Sequence, residues 1–548
     1  MTGAGHGDLF DYPCWRSMGW RQRLYEKTAR YLAAGYLLAL ATLGHGAGAD
    51  AIRLTFDQRA GSCAAPLAAC ELQAPGLLHE FYARQAFAPL WQDPTRRAAL
   101  RDELARLADD GLDPADYPLD SPPAASASAA QQRACADLQA SRSYLLALQH
   151  LARGRLPQES IEPFWRASDS AGPARPSVLS LAWLGLDRPA TAFAAARPAL
   201  RQYQALRRAY AERRRQPLAE WPSIPPGRLL RPGMRDERVA RLVARLTAEG
   251  YLGERPAADA ERYDPPLVAA VQRFQHRHGL QADGLVGPQT LSALNTGAAA
   301  RLGQLRVNLE RWRWLAGDLE AETLLVDIAG GLLSYYAGHQ LRWQGRAQVG
   351  RPTRKTPQLK SLVSRLTLNP TWSVPPTILR EDKLPEIRRD PGYLARHQLR
   401  VFDRDGNPLD PAGIDWANPG QIVLRQDAGP DNPLGQLAIR FPNPFSVYLH
   451  DTPSQQLFDK SPRAFSSGCV RIEGILQLLE ELLPADDCVQ IARRLASGRT
   501  QEFAITRRLP IVLAYWTAEV NADGELILRN DLYARDQRLL AALQQAGR

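Results

Sequence analysis

The spacing of apolar residues differs between the two halves of this sequence. A single type of secondary structure therefore cannot account for the whole chain. Up to about residue 219 apolar residues recur at helical spacing, as at Leu100, Leu104 and Leu107. From Val307 onward, short apolar runs separated by glycines such as Gly330-Gly331 predict β-hairpins instead. Helices and sheets need different apolar patterns to cover a core, so we expect separate helical and β domains in a multidomain α+β protein. The length of 548 residues allows about three or four domains.

The proline-rich stretch 221–227 is predicted to be a linker. It separates a helical scaffold domain at residues 50–225 from a small three-helix domain at residues 226–300. A mainly-β domain is predicted at 301–500, and the strands and helix of 501–548 are expected to return to the scaffold. The β domain has predicted strands at residues 362–368, 421–425, 438–441 and 446–450. A Pro-, Asp- and Arg-rich insertion at about 375–419 interrupts it, and such insertions often cover a functional site.

Residues 1–49 are predicted to be a secretory signal peptide. Basic residues precede an apolar run at 31–43, and the small residues Ala47-Gly48-Ala49 follow it. The apolar run is shorter than the roughly 20 residues that cross a bilayer. We therefore expect cleavage after Ala49 and no stable membrane span afterwards. An uncleaved anchor is the alternative.

Charge and cysteine content narrow the class of protein further. The chain has 68 Lys+Arg and 58 Asp+Glu, a net charge of +10, but the excess is spread along the chain without a polybasic tail. No cysteine belongs to a C-x-x-C pair, which disfavours zinc-finger and thioredoxin-like sites. Cys63 and Cys70 could close a small disulfide loop in an oxidising compartment. The odd number of cysteines after cleavage predicts at least one free thiol.

Cys469 and His450 are the candidate catalytic pair. Cys469 follows Ser466-Ser467-Gly468, and we predict that it lies just before a helix, whose positive end would favour a thiolate. His450 ends a predicted strand and could take the thiol proton. Gly468 permits a tight turn whose backbone N–H groups could hold an oxyanion. The alternative is that both residues belong to a core.

The segment from His450 to Arg471 resembles the signature of the L,D-transpeptidase catalytic domain. Fifteen residues separate His450 from Ser466, and Ser-Ser-Gly-Cys-Val-Arg follows. Ser467 stands where that signature has a second histidine, which is not the base in the family. Further segments are similar to the large Gram-negative branch, which has a scaffold, a peptidoglycan-binding module and a substrate-capping insertion: 350–357, 366–376 and 515–518. Residues 274–294, with the spacing Asp283-Gly284-x-x-Gly287-x-x-Thr290, resemble the peptidoglycan-binding domain of wall enzymes.

This resemblance implies a mechanism. The Cys469 thiolate attacks the third residue of a tetrapeptide stem, D-Ala leaves, and His450 serves as base and then acid. An amine of a neighbouring stem takes the acyl group and forms a 3-3 cross-link. No metal or cofactor is implied. Open alternatives for the acceptor are a lipoprotein lysine and a free D-amino acid.

The resemblance also implies partners and a location. Peptidoglycan stem peptides and glycan strands are the expected partners, and nucleic acid is not. The enzyme would act in the periplasm, in wall biogenesis and cell shape, and carbapenems would acylate it. The oligomeric state stays open.

Five residues are candidate substrate contacts. Tyr448 lies two residues before His450 on the same strand face, so it should line the site, and ordinary sheet packing is the alternative. Trp372 is a candidate wall residue by the resemblance alone. Ser467 and Gly468 flank the nucleophile. Arg471 either braces the turn through backbone carbonyls or contacts a substrate carboxylate.

Rival chemistries lack their motifs. Serine penicillin-binding transpeptidases need S-x-x-K, and no serine stands three residues before any of the five lysines. G-x-S-x-G, H-E-x-x-H and the phosphate-binding G-x-x-x-x-G-K-[ST] loop are also missing from the sequence. The remaining alternatives are a non-catalytic peptidoglycan-binding protein with a structural Cys469, a cysteine wall peptidase, and a lipoprotein-attaching transferase.

Overall fold

The computed structural model describes residues 47–57, 76–120, 128–172, 175–218, 220–253 and 261–546. Its contacts divide the chain into two compact units. The first comprises residues up to Arg97 together with Pro118–Ser143, and the second comprises Ala98–Tyr117 together with Tyr144–Arg548. The region predicted as one helical scaffold domain therefore contributes to both units.

The first unit is helical where it is described. Helices α1 (Ala47–Asp57) and α2 (Leu77–Ala83) lie in it, and α3 (Pro94–Arg106) and α4 (Ala129–Arg153) contain residues of both units. The buried Asp137 carboxylate accepts hydrogen bonds from the backbone N–H groups of Leu90 and Trp91 at 2.9 and 2.8 Å. Because a buried carboxylate needs such partners, this contact fixes the loop before α3.

The predicted export signal lies almost entirely outside the described residues. Its predicted cleavage position, after Ala49, falls in the first turn of α1. Cys63 and Cys70 also lie outside the described part, whereas Cys135 is disulfide-bonded. A search of the described residues found no helix that is long and apolar enough to cross a membrane.

The second unit begins with packed helices. These are α5 (Gln158–Ile161), α6 (Val178–Leu184), α7 (Pro189–Ala196), α8 (Arg201–Arg214) and the long α12 (Ala298–Leu315). Trp312 of α12 stacks on Trp516 with ring centroids 4.3 Å apart. This stacking joins the helical layer to the sheet described below.

A small three-helix module lies between α8 and α12 in the chain. Its helices are α9 (Arg238–Ala248), α10 (Pro265–Arg277) and α11 (Pro288–Leu294). The Asp264 side chain accepts a hydrogen bond from the Leu267 N–H and caps α10, and Pro288 occupies the first turn of α11. Val239, Leu242 and other apolar residues form its own core. This arrangement is the one that the sequence predicts.

A twelve-stranded sheet forms the centre of the β domain. Its order is β1-β5-β16-β2-β3-β4-β14-β12-β11-β6-β15, with β13 paired to β4. Leu359 from one end and Leu366 from the other belong to one apolar core, so the sheet folds over on itself. The bounds are β1 (Trp165–Arg166), β2 (Thr323–Asp327), β3 (Leu332–Ala337), β4 (Gln340–Gly350), β5 (Leu359–Leu362), β6 (Arg365–Leu368), β11 (Leu437–Arg440), β12 (Leu449–His450), β13 (Ala464–Ser466), β14 (Val470–Ile472), β15 (Gln501–Ala504) and β16 (Pro510–Ala514).

The domain boundary predicted at residue 500 is wrong. β15 pairs with β6, and β16 pairs with both β2 and β5, so these C-terminal strands complete the central sheet. Strands β17 (Ala518–Val520) and β18 (Leu526–Leu528) form a separate hairpin. α18 (Asp536–Gln545) packs on the helical layer, where Leu539 contacts Val307 of α12. Ala518 and Leu528 of the hairpin pack there too, in one core with Leu206 of α8.

The insertion is a small subdomain of its own. A four-stranded sheet, β7-β10-β8-β9, consists of β7 (Trp372–Ser373), β8 (Leu399–Phe402), β9 (Pro408–Leu409) and β10 (Val423–Gln426). Helices α13 (Pro376–Ile378), α14 (Leu384–Arg389) and α15 (Tyr393–Arg396) pack on it around a separate core. The insertion therefore extends from Trp372 to Gln426, beyond the predicted 375–419, and the strand predicted at 421–425 belongs to it. Helices α16 (Ile475–Leu482) and α17 (Ala485–Ala496) follow β14.

Candidate active site

Strand register aligns the candidate residues on one face of the sheet. β12 and β14 run parallel, with His450 opposite Arg471 and Leu449 opposite Val470. Leu449 and Val470 are fully buried in the core. Because side chains alternate along a strand, His450 and Arg471 project from the other face.

The same register continues to the residues before these strands. The Val470 N–H donates a 3.1 Å hydrogen bond to the Tyr448 carbonyl, so Tyr448 lies beside Cys469 and shares its face. The Tyr448 and His450 rings have centroids 5.5 Å apart. His450 and Cys469 therefore lie on the same face, as diagonal neighbours on either side of the Leu449–Val470 pair.

Cys469 is half-buried, and its sulfur has polar neighbours. It lies 3.7 Å from the Ser446 carbonyl oxygen, and Tyr448 is its neighbour on the adjacent strand. Burial raises the pKa of the Cys469 thiol, although the Tyr448 hydrogen bonds and the positive charges of Arg440 and Arg471 act in the opposite direction. The resting group is therefore a thiol at neutral pH, and its activation needs a base.

His450 has the tautomer and the charge that a base requires. Its Nδ1 lies 2.6 Å from the Asp451 carbonyl oxygen. Because a carbonyl only accepts, Nδ1 carries the hydrogen and Nε2 keeps its lone pair. Burial, then the nearby Arg471 charge, lowers the pKa of His450 to about 3. The imidazole is therefore neutral and able to accept a proton.

Arg471 contacts a side chain rather than the turn. It donates to Gln348 Oε1 at 3.2 Å, across β4, and its buried Nε has no hydrogen-bond partner among the described residues. The prediction that Arg471 braces backbone carbonyls of the turn does not match this geometry. The contact with a substrate carboxylate stays a prediction. Burial lowers the pKa of Arg471.

The turn before Cys469 leads into a strand, so the predicted helix is wrong. Cys469 directly precedes β14, and α16 begins only at Ile475. Ser466 Oγ accepts from the Gly468 N–H at 3.1 Å and donates to the Cys469 carbonyl at 2.5 Å. Gly468 has φ of 122°, a left-handed value that favours glycine. Hydrogen bonds within the turn, and not a helix dipole, fix its geometry.

A second set of hydrogen bonds supports the turn from behind. Thr356 Oγ1 donates to the Gly468 carbonyl at 2.8 Å and accepts from the Gly350 N–H at 2.9 Å. The Tyr533 phenol donates to the Gly350 carbonyl at 2.6 Å and accepts from the Thr356 N–H at 3.1 Å. The C-terminal segment thus reaches the site through two buried hydroxyl groups.

Ser467 links the turn to the insertion. Arg354 donates to Ser467 Oγ at 3.0 Å and to Asp382 at 2.6 Å. The same guanidinium forms an ion pair with Glu381 at 2.7 Å. Asp382 and Glu381 belong to the insertion, so one arginine joins the insertion to the residue two positions before Cys469.

Trp372 lies in the insertion, on β7. Its ring packs against the insertion core, and Lys383 Nζ lies 5.5 Å from the ring centroid. The structure gives it no role in assembling the Cys469 turn, and its assignment as a substrate-wall residue stays a prediction.

Sequence reasoning missed Arg440, Gln348, Thr356, Arg354 and Tyr533. The Arg440 guanidinium lies 3.8 Å from the Tyr448 ring centroid, because β11 pairs with β12 in the register that opposes these residues. Of these five residues, Arg354 and Thr356 lie in the segment 350–357, whose similarity to the large Gram-negative branch could have drawn attention to them. Among the described residues, no group of three or more His, Cys, Asp or Glu is arranged to hold a metal ion.

Three family models match the chain. Residues 76–209 match the "Scaffold domain", residues 235–294 match the "Putative peptidoglycan binding domain", and residues 321–491 match the "L,D-transpeptidase catalytic domain". The predicted multidomain architecture and the predicted family resemblance are thereby confirmed.

Two curated relatives match parts of the chain. A "Putative L,D-transpeptidase" of Haemophilus influenzae is 36% identical over 221 residues, which cover 39% of this chain and 45% of that protein. A "Probable N-acetylmuramoyl-L-alanine amidase" of Bacillus licheniformis is 36% identical over 78 residues, which cover 14% of this chain and 22% of that protein. The chain thus spans less than half the length of either relative.

Solved structures give more distant likenesses. An L,D-transpeptidase from Mycobacterium smegmatis is 13% identical, with 35% of this chain and 58% of that chain covered and a TM-score of 0.17. An L,D-transpeptidase from Stackebrandtia nassauensis is 14% identical, with 54% and 97% covered and a TM-score of 0.19. TM-scores this low carry no information about the fold of this chain.

Proposed function

We propose that this chain cross-links peptidoglycan stem peptides by cysteine acyl transfer. The premise is that it contains an L,D-transpeptidase catalytic domain and a peptidoglycan-binding domain. The observation that carries the proposal is the register of β12 and β14. It sets Cys469 beside Tyr448 and His450 beside Arg471 on one sheet face. A thiol, a neutral imidazole and a cation so arranged suit acyl transfer.

The first half-reaction releases D-Ala. His450 Nε2 takes the proton from Cys469 Sγ, and the thiolate attacks the carbonyl carbon of the third residue of a tetrapeptide stem. The tetrahedral intermediate collapses when its C–N bond breaks, and the leaving amine of D-Ala takes the proton from His450. A thioester on Cys469 remains.

The second half-reaction forms the 3-3 cross-link. An amine of a neighbouring stem attacks the thioester carbonyl and loses a proton to His450. The C–S bond breaks, the new amide forms, and the sulfur regains the proton. Every proton is carried by the Cys469–His450 pair, and no metal or cofactor takes part in the proposed steps.

The surrounding residues have proposed supporting roles. Tyr448 lines the site beside the sulfur, where it acts to lower the pKa of the thiol, and Ser467 and Gly468 contact the donor peptide. Arg471 attracts a substrate carboxylate, since its Nε is buried without a partner among the described residues. Trp372 forms part of the substrate wall.

The proposed location is the periplasm. Domains that act on peptidoglycan imply an extracytoplasmic site of action, which the predicted signal peptide, cleaved or kept as a tether, would supply. There the enzyme would contribute to wall biogenesis and cell shape, and carbapenems would acylate its cysteine.

Incubation with purified disaccharide-tetrapeptide tests the proposal. Mass spectrometry should find free D-Ala and a 3-3 linked dimer with the wild-type protein, and neither with Cys469→Ser, because a hydroxyl is a far poorer nucleophile beside this base. Circular dichroism of the variant checks that the fold is kept. Substantial activity of Cys469→Ser would show that the nucleophile is another residue.

The products also separate the alternative functions. A non-catalytic binding protein releases no D-Ala, and a wall peptidase releases it without forming a dimer. A lipoprotein-attaching transferase forms an adduct only when a lysine-containing peptide is added as the acceptor. Each of these three results would replace the proposed reaction.

A further inference from the structure

A large cavity in the second unit lies apart from the candidate active site. Its volume is about 1690 Å³, several times what one small molecule needs. Helix α8, the end of α10, the β3–β4 hairpin, the loop that precedes Cys469 and the β17–β18 hairpin line it. Because helices, hairpins and a loop all contribute to the wall, we call this space the composite cavity. The three-helix module supplies a small part of the wall.

The loop between His450 and Cys469 forms one wall of the composite cavity. Residues 458–463 of this loop line it. Ser461 donates from its backbone N–H to Gln281 Oε1 at 3.0 Å and from its hydroxyl to the Gly279 carbonyl at 2.7 Å. Gln281 and Gly279 follow α10, so the three-helix module is hydrogen-bonded to the loop that joins the candidate catalytic pair.

The lining is rich in carboxamide side chains. Six of them contribute to it: Gln202, Gln204, Gln281, Gln340, Gln344 and Asn521. Some of them already use their amide nitrogen in a hydrogen bond. Gln202 Nε2 donates to Tyr336 Oη at 3.1 Å, and Gln344 Nε2 donates to Ser334 Oγ at 2.9 Å. Fixing one end of an amide directs its other end, which lowers the entropy cost of binding a ligand.

The apolar part of the lining offers a surface to a sugar ring. Leu341, on β4, is 47% exposed, and Tyr336 lies near it in the wall. The charged part is mixed: Arg346 pairs with Glu473 and Asp459, and Arg529 pairs with Asp327 and Glu519, whereas Arg201, Arg208 and Lys460 line the cavity without a carboxylate partner among the described residues. The carboxamides and the exposed apolar side chain are the groups that suit a neutral polymer.

We propose that the composite cavity binds the N-acetylated glycan strand of peptidoglycan. Sugar hydroxyl and acetamido groups both donate and accept hydrogen bonds, as the carboxamides do, and the C–H faces of sugar rings match Leu341 and Tyr336. A stem peptide is the competing ligand, because its carboxylates would suit Arg201, Arg208 and Lys460 in the same cavity. The inference rests on the proposed function for the identity of the polymer.

The distance to the active site supports this assignment. Gln344 in the cavity wall and Gln348, which accepts the hydrogen bond from Arg471, are four residues apart on one face of β4. Four strand residues span about 13 Å. Three residues of an extended stem reach about 10 Å. The stem of a glycan strand in the cavity would thus extend most of the way to Gln348, which contacts Arg471 beside the candidate catalytic pair.

Binding of stem-free glycan to the full-length protein tests the inference. The background is Cys469→Ser, which cannot acylate, and the probes are a hexamer of N-acetylglucosamine and amidase-treated glycan strands without peptides. Leu341→Glu should weaken binding about tenfold or more, because it places a charge against the apolar face of the sugars. The matched control is Leu184→Glu, since Leu184 is 61% exposed on α6, outside the cavity, and it should bind like the parent.

The outcomes distinguish this inference from the proposed function. Unchanged glycan binding by Leu341→Glu overturns the inference, and so does a parent that binds stem peptides but no stem-free glycan. Thermal unfolding of both variants excludes a folding defect. If the wild-type protein forms no cross-links but glycan binding still depends on Leu341, the proposed function fails and the composite cavity remains a glycan site.

Discussion

Thr356 Oγ1 donates a 2.8 Å hydrogen bond to the carbonyl of Gly468, the residue before the candidate nucleophile. Thr356 is fully buried and belongs to the segment after β4, more than a hundred residues away in the chain. The same oxygen accepts from the Gly350 N–H. One hydroxyl thus fixes the Cys469 turn against β4, and a displaced turn would move the sulfur away from His450.

Thr356→Val should slow cross-linking while Thr356→Ser keeps most of it. Valine has the shape of threonine but leaves a buried carbonyl and a buried N–H unpaired, which costs about 1–3 kcal/mol in the free energy of unfolding. The turn is then held less firmly, and we expect kcat to fall by about tenfold or more. Steady-state kinetics and urea unfolding of the two variants measure both effects. Equal kcat for Val and Ser would mean that the hydroxyl does not position the turn.

Carbapenems should acylate Cys469 and leave Cys488 unmodified. Both are free cysteines, which makes Cys488 an internal control. Burial and then the negative charges of Glu480 and Asp487 raise the pKa of the Cys488 thiol, whereas Cys469 has the proposed base His450 on the same sheet face. Intact-protein mass spectrometry should detect one adduct, and peptide mapping should locate it. An adduct on Cys488, or none at all, contradicts the proposed nucleophile.

Arg471→Gln should move the thiol titration to higher pH. The Arg471 charge lowers the pKa of both Cys469 and His450, so its removal disfavours the thiolate and favours the imidazolium. We expect the midpoint of the pH–rate profile for iodoacetamide alkylation of Cys469 to rise by about one pH unit. Arg365→Gln, at an exposed pair with Glu502, is the control and should not move it. A midpoint that stays or falls in Arg471→Gln would exclude this electrostatic role.

The candidate pair was predictable because its signal is local. His450 and Cys469 stand in one short segment whose spacing and glycine turn carry the chemistry. The strand after Cys469 was not predicted, although Val470-Arg471-Ile472 alternates apolar and polar residues. Cys469 was placed directly before a helix because the strong helical period of 475–482 follows within a few residues and the strand between them has only three residues.

The supporting residues were not predictable because long-range pairing brings them in. Thr356 and Tyr533 meet only because β16 enters the sheet between β2 and β5, which no local pattern indicates. Arg440 reaches Tyr448 through the β11–β12 register. The extent of the insertion was underestimated for the same reason, since β7 and β10 pair across about fifty residues.

Arg354→Ala should loosen the insertion and favour hydrolysis over cross-linking. Arg354 binds Ser467 on the turn and Asp382 and Glu381 in the insertion, and within the described residues these contacts join the two directly. If the insertion excludes water from a Cys469 thioester, its release should let water compete with the acceptor amine. Hydrogen exchange of residues 376–396 should become faster, and free tripeptide should increase relative to dimer. Arg388→Ala is the matched control, because in the described part of the chain Arg388 donates to insertion carbonyls alone, those of Trp416 and Ala417. Unchanged exchange and an unchanged product ratio in Arg354→Ala would leave the insertion without a capping role.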